Sequence, residues 1–156
     1  MLVHGIDDIY PVIDAVTFLG VPSEIKATAI FGETGSEESL SVIFNYKDGT
    51  MASLYSSFRT AIGIGCEIYC EKGNLTVTRG RDMNQKVILE MHGAEKQEFT
   101  FNPPAMGYHW EAEEVMKCLD KGLTESPVVP LSFSLDLMKT LDRIRQAAGI
   151  VFPGRD

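Results

Sequence analysis

Cysteine is scarce in this chain: three residues, an odd number without paired spacing, argue against the disulfide framework of a small secreted protein. Cys66 and Cys70 lie in "IGCEIYCEKG", where Ile64, Cys66, Ile68 and Cys70 alternate with more polar neighbours. At strand spacing their Cα atoms stand about 13 Å apart, too far for one disulfide or one metal, and both are expected to be small core residues. Histidine is equally sparse. His4, His92 and His109 are scattered with no HxxxH spacing, so no metal site is expected. Positive charge is in deficit too: 14 basic against 22 acidic side chains leave a net charge of −8, the wrong sign for neutralising phosphates or anionic lipids. Neither nucleic acid nor membrane is an expected partner. No apolar run approaches the ~20 residues of a membrane span, and the N-terminus lacks the basic, apolar and small-residue regions of a signal peptide. The expected location is cytoplasmic.

Signature motifs of several enzyme classes are missing as well. Gly63-Ile-Gly65 is followed three residues later by Ile68, so GxGxxG fails, and no GxxxxGK[ST] occurs. The "GETG" stretch carries glycines, but Glu33, Glu37 and Glu38 around it repel an anion, and it reads as a turn. No residue is therefore assigned to cofactor binding. There is no GxSxG elbow and no cysteine with an evident histidine partner. The adjacent acids Asp7 and Asp8, and Glu113 and Glu114, point about 100° apart on a helix and do not converge on one bond.

What is present is one domain's worth of ordinary globular chain, 156 residues with 44% apolar and 23% charged side chains. Ile9, Ile13, Val16 and Leu19 recur at helical spacing, with Asp7 or Asp8 placed to cap, Pro11 in the first turn and Gly20 as stop. "SEIKATAIF" reads as a strand. "LSVIFNYKDGTMASLYSSF" reads as a hairpin turning at Asp48-Gly49, and "CEIYCEKGNLTVTR" as a second one turning near 72–74. Further strands are predicted at 86–91 and 97–101. After "NPPAMG" the period changes: Tyr108, Ala112, Val115, Met116 and Leu119 form one helical stripe, and Leu137, Leu141, Ile144 and Ala148 another, capped by Ser132 or Ser134 and stopped by Gly149. The expected fold class is α+β: a largely antiparallel, open-faced sheet of about six strands with helices on one face.

In the first hairpin Leu40, Val42, Phe44 and Tyr46 share one face, while Ser39, Ser41, Ile43 and Asn45 share the other. The oily face belongs under the helices. The other either meets water or packs against a second copy, for which its short hydroxylated side chains and those of "TMASLYSSFRT" are suited.

Tyr10 admits two readings from the residues alone. A ring at a helix start ordinarily packs into the core, yet a phenol also serves as proton donor or acceptor in carbonyl and alcohol redox chemistry. Two stretches weigh in. "GYHWEAEEVMKCLDKGLTESPVVPLSFSLDLMKTLDRIRQAAGIVFP", with its "CLDKGLTESPVVPL" at 118–131 and "IRQAAGIVFP" at 144–153, resembles the C-terminal ending of the glucose-fructose oxidoreductase, inositol dehydrogenase and MocA family, particularly its dimeric dihydrodiol dehydrogenase branch. "FGETGSEESLSVIFNYKDGTMASLYSSF" is similar to that family's central sheet.

The resemblance implies the substrate and dimerisation domain of a two-domain NAD(P)-dependent oxidoreductase acting on a sugar, cyclitol or dihydrodiol alcohol. Residues 1–156 form that single domain, and the N-terminal Rossmann domain that binds NAD or NADP is absent. It also implies that Tyr10 is the acid/base, since the family's junction helix ends an Asp-x-Gly-x-Tyr pattern there. The aspartate and glycine of that pattern fall at Ile6 and Asp8, so only the tyrosine carries over. Phe101, Met106 and Tyr108, in the "FNPPAMGYHW" loop, are the candidate substrate contacts, with core packing or helix-start packing as the rival role for these rings. The implied assembly is a homodimer through the exposed sheet face. The rival function is a stand-alone binding or assembly module derived from the same domain and without catalysis.

Overall fold

The computed structural model describes residues 1–5, 9–80, 85–102 and 107–152. In chain order the elements are β1 (Leu2–Gly5), α1 (Ile9–Leu19), β2 (Glu24–Phe31), β3 (Glu37–Asn45), β4 (Met51–Ser57), β5 (Ile64–Cys70), β6 (Gly73–Arg79), β7 (Gln85–Met91), β8 (Gln97–Phe101), α2 (Tyr108–Asp120) and α3 (Leu131–Ala148). The α+β class stands, with a correction to the sheet. Among the described residues its strands number eight, in the order β2-β3-β4-β1-β5-β6-β7-β8. The sheet is mixed, because β1 lies parallel to β4 and antiparallel to β5.

α1 and α3 cover one face of this sheet. Beneath them lie Val3, Leu40, Val42, Phe44, Ala52, Leu54 and Cys66, joined by Val12, Ala15 and Val16 of α1 and Leu137 and Ile144 of α3. The hairpin alternation thus sorts its residues as expected. Ile25, Phe44 and Ala52 form one cross-strand row and Ala27, Val42 and Leu54 the next. Leu137, Leu141, Ile144 and Ala148 turn inward along α3, the stripe their spacing predicts.

Polar ties set the helices' ends. Gly20 adopts φ 76°, which a β-carbon would oppose, and its N–H bonds the Val16 carbonyl to close α1. The Tyr46 hydroxyl donates to the Gly20 carbonyl at 3.2 Å, and burial pushes that phenol up to about 12. Arg143 of α3 donates to the carbonyls of Pro22 and Ser23 at 2.9 and 3.1 Å, fastening α3 to the entry of β2. The turn at Asp48-Gly49 is as expected: the Thr50 N–H bonds the Asp48 carboxylate at 2.9 Å, which holds that carboxyl below its usual range.

Three sequence expectations need correction. Cys66 is buried, but Cys70 is exposed, since it ends β5 beside the turn and its partner Gly73 brings no side chain to cover it. α3 starts at Leu131, so Ser132 and Ser134 lie inside it and cap nothing. The α2 stripe of Tyr108, Ala112, Val115, Met116 and Leu119 is exposed, because α2 is not among the elements that pack on the sheet. Asp7 and Asp8, the expected caps of α1, lie outside the described residues.

The segment after α2 instead supplies α3's cap. Glu125 accepts from the Leu131 N–H at 2.7 Å, taking over an amide that Pro130 at the N-cap cannot serve with a side chain. Ser126 donates to Glu114 of α2 at 2.6 Å and accepts from the Val128 N–H at 3.0 Å. These bonds give "TESP" a structural purpose. Glu125→Ala is expected to cost about 1 kcal/mol, a fall of about 2–4 °C in thermal midpoint measured by differential scanning calorimetry.

Candidate active site

α1 begins no more than four residues after Gly5 ends β1, so its first turn stays within about 14 Å of that end of the sheet. The strand registers define what else is there. Gly5 pairs with Ser56, Ile64 pairs with Arg79, Arg79 with Gln85, and Gln85 with Phe101. Directly opposed residues share a face, and Arg79 faces α1, because its Nη2 donates to Asp14 Oδ1 at 2.8 Å. Ile64, Arg79, Gln85 and Phe101 therefore form one row on the helix side at this end of the sheet. With strands ~4.8 Å apart, Phe101 lies about 10 Å across from Arg79.

Tyr10 stands on the same face of α1 as Asp14, one turn earlier and about 6 Å along the helix axis, so it overhangs the end of the row. Its side chain is not core. Tyr10 is 51% exposed, while Pro11, Val12, Ala15 and Val16 beside it are buried. The space between Pro11, Val12 and strands β3 and β4 is only about 10 Å³, room for one water at most.

Phe101 is 55% exposed at the end of edge strand β8, on the face and at the end that Tyr10 occupies. Tyr108 is 71% exposed in the first turn of α2 and is not fixed against the row. Met106 lies outside the described residues. Trp110 packs locally: a β-carbon at Gly107 would meet its ring at 3.2 Å, and His109 lies 4.9 Å from it between ring centroids.

Sequence reasoning missed Asp14, Arg79 and Gln85. Asp14 left one signal, an acid inside the apolar helix face of "PVIDAV", and it is buried here. Cys66 sits close by, its thiol pushed up to about 11 by burial, with the Asp14 charge adding and Arg79 opposing. At neutral pH it is a protonated packing residue, not a nucleophile. Among the described residues no group of three or more His, Cys, Asp or Glu is placed to hold a metal, and no helix is long and apolar enough to cross a membrane.

Neither of the two glycine-bearing stretches, Gly63–Gly65 and Gly32–Gly35, opens a helix. Gly65 lies within β5, where a β-carbon would strike the Val77 carbonyl; it permits close strand packing and opens no helix. The Gly32–Gly35 turn leads into a strand, with Glu33 and Glu38 beside it.

The opposite face of the sheet divides in two. Over β5 to β8 it carries Glu67 bonded to Tyr69, and Lys86 and Lys96 paired with Glu98. Over β2, β3, β4 and β1 it is hydroxylated and apolar at its centre: Thr28, Ser41 and Tyr55 form one row, Ile43 and Ser53 continue another from Lys26, which pairs with Glu24 at 3.7 Å, and Leu2, Ile30 and Met51 are exposed. Ser39 and Ser57 hydroxyls meet at 2.7 Å, and hydrogen bonds from Ser57, Ser39 and Thr60 draw the Tyr55 phenol below its usual range.

The chain is 30% identical over 141 residues to trans-1,2-dihydrobenzene-1,2-diol dehydrogenase of Oryctolagus cuniculus, a match covering 85% of the chain and 42% of that protein. The Bos taurus protein of the same name is 32% identical over 142 residues, covering 85% and 41%. Its homologues are dihydrodiol dehydrogenases. The chain spans about two fifths of the length of these curated relatives and corresponds to their C-terminal part, as the motifs at 118–131 and 144–153 implied. No family model matches the chain. Among solved structures, a 3-ketoreductase from Actinomadura kijaniata, crystallised with NADP and TDP-benzene, superimposes with a TM-score of 0.73 at 18% identity, over 90% of this chain and 44% of that one. UDP-N-acetylglucosamine 3-dehydrogenase from Acidithiobacillus ferrooxidans does so with a TM-score of 0.67 at 14% identity, over 90% and 46%. These homologues and structural neighbours are oxidoreductases, and at such identities the solved structures share the fold.

Proposed function

We propose that this chain is the substrate-side, dimerising domain of an NAD(P)-dependent oxidoreductase acting on a sugar, cyclitol or dihydrodiol alcohol, with Tyr10 as its acid/base. The observation that carries the reading is the placement of Tyr10: a half-exposed phenol on a helix whose neighbouring side chains are buried, overhanging a row that ends in the exposed ring of Phe101. A bound NAD or NADP, held by a separate dinucleotide-binding domain, supplies the hydride chemistry. Tyr10 gives a proton to the substrate oxygen when a carbonyl is reduced and takes one when the alcohol is oxidised. Phe101 forms an apolar wall for the substrate, and Met106 and Tyr108 are contacts brought by the following loop and helix.

The test is to follow NAD and NADP reduction at 340 nm by the full-length protein against a panel of polyols, cyclitols and dihydrodiols. Turnover of at least one class is expected. Absence of nucleotide binding and of turnover across the panel would leave the non-catalytic module as the better account.

The hydroxylated, apolar centre of the open face over β3, β4 and β1 is the proposed homodimer surface, bounded by the charged half over β5 to β8 and by the Lys26–Glu24 pair on β2. Arginine at Ser41 or Ser53 places an unpaired charge in it. Each variant is expected to shift the mass in light scattering from dimer to monomer, with the thermal midpoint of the fold little changed. A wild-type monomer at micromolar concentration would refute this surface.

A further inference from the structure

α1 lies on the sheet through Val12, Ala15 and Val16, apolar contacts that allow a helix to slide or roll by fractions of an ångström. The Tyr46 hydroxyl on the Gly20 carbonyl ties the C-terminal end of the helix, and a second directional tie lies nearer Tyr10. Asp14 and Arg79, 65 residues apart, meet at 2.8 Å, with side chains 11% and 28% exposed. The cost is visible on the arginine, whose Nε is buried without a hydrogen-bond partner among the described residues. A pair this deep adds little net stability over an apolar pair of the same shape. Its geometry is what it supplies: an acid on α1 and a base at the last residue of β6 fix one translation and one roll of the helix against the sheet. Tyr10 is one turn away on the same helix face.

We infer that the Asp14–Arg79 ion pair is a positioning device that sets where Tyr10 stands beyond the end of the sheet. Only its kinetic consequence rests on the reading of Tyr10 as acid/base; the positional claim stands by itself. Val12 and Ala15 hold the depth of the helix, and Arg79 holds its axial register through Asp14. With the pair removed, the first turn of α1 is free to shift while the core beneath Val16 stays closed.

The experiment labels the full-length protein with 3-fluorotyrosine and assigns the Tyr10 ¹⁹F resonance by its loss in Tyr10→Phe. Arg79→Met and the isosteric Asp14→Asn are expected to move that resonance by more than its linewidth while those of Tyr46 and Tyr69 stay in place. The paired exchange of Asp14→Arg with Arg79→Asp is expected to bring it back toward the wild-type position. Loss of fold would move every tyrosine, and Asp14→Asn, which keeps shape and removes only charge, guards against it. In the kinetic arm, both single variants are expected to lose about tenfold to a hundredfold in kcat, since a misplacement of ~1 Å reaches the latter figure. The substrate KM should stay within about twofold. A Tyr10 resonance unmoved in folded Arg79→Met and Asp14→Asn overturns the inference. A resonance that moves while kcat holds keeps the inference and contradicts the role of Tyr10 in catalysis instead.

Discussion

On the proposed function, Tyr10→Phe is expected to lower kcat of the full-length protein by about 10²–10⁴-fold with KM little changed. The substitution removes one hydroxyl from a half-exposed ring, so folding is untouched and the loss reports the proton step alone. Steady-state kinetics, with thermal midpoints as the folding control, reads the loss. Turnover equal to wild type removes Tyr10 from the chemistry and leaves Phe101 and the row beside it without a reacting partner.

Phe44→Ala is expected to cost about 3–5 kcal/mol, the largest stability effect of any single truncation here. Phe44 is fully buried in β3, between Ile25 on β2 and Ala52 on β4, directly under the helices. Ala52 is small because Phe44 is large, so the two fill one layer together, and removing the ring opens a cavity that a β-sheet paired on both sides cannot collapse. Urea titration should show a lower midpoint with an unchanged slope. A loss below ~1 kcal/mol would mean that the helices do not seal this face.

Local patterning carried most of this fold. α1 was legible because its apolar spacing, Pro11 and Gly20 agree on its limits, and the first hairpin because alternation and Asp48-Gly49 agree on its register. β1 was not: four residues with Val3 as the residue packed in the core leave no alternation to read, and its parallel seat beside β4 is set by a partner some fifty residues away. The α2 stripe misled for the opposite reason. It is periodic and apolar, but among the described residues no strand packs against it, so period reported an amphipathic helix without its cover.

At the candidate site, motif resemblance picked out Tyr10, and the fold added its exposure and its neighbours. Phe101 was named from its nearness in sequence to a loop; the strand register puts it on the same row and face as Arg79, which no local pattern could show. The Asp14–Arg79 pair had no local spacing to betray it, because two residues on different elements meet only after the sheet has formed. The lone acid in "PVIDAV" was the trace it left.

On the role proposed for Tyr10, chemistry takes place above the helix-side row at the end of the sheet. A crystal structure of the full-length protein with NADPH and a turned-over substrate tests it directly. The account predicts the Tyr10 hydroxyl within about 2.6–3.2 Å of the reacting oxygen, with the ligand resting toward Phe101. Substrate bound on the hydroxylated face, or a Tyr10 hydroxyl turned away with no water between, would contradict it.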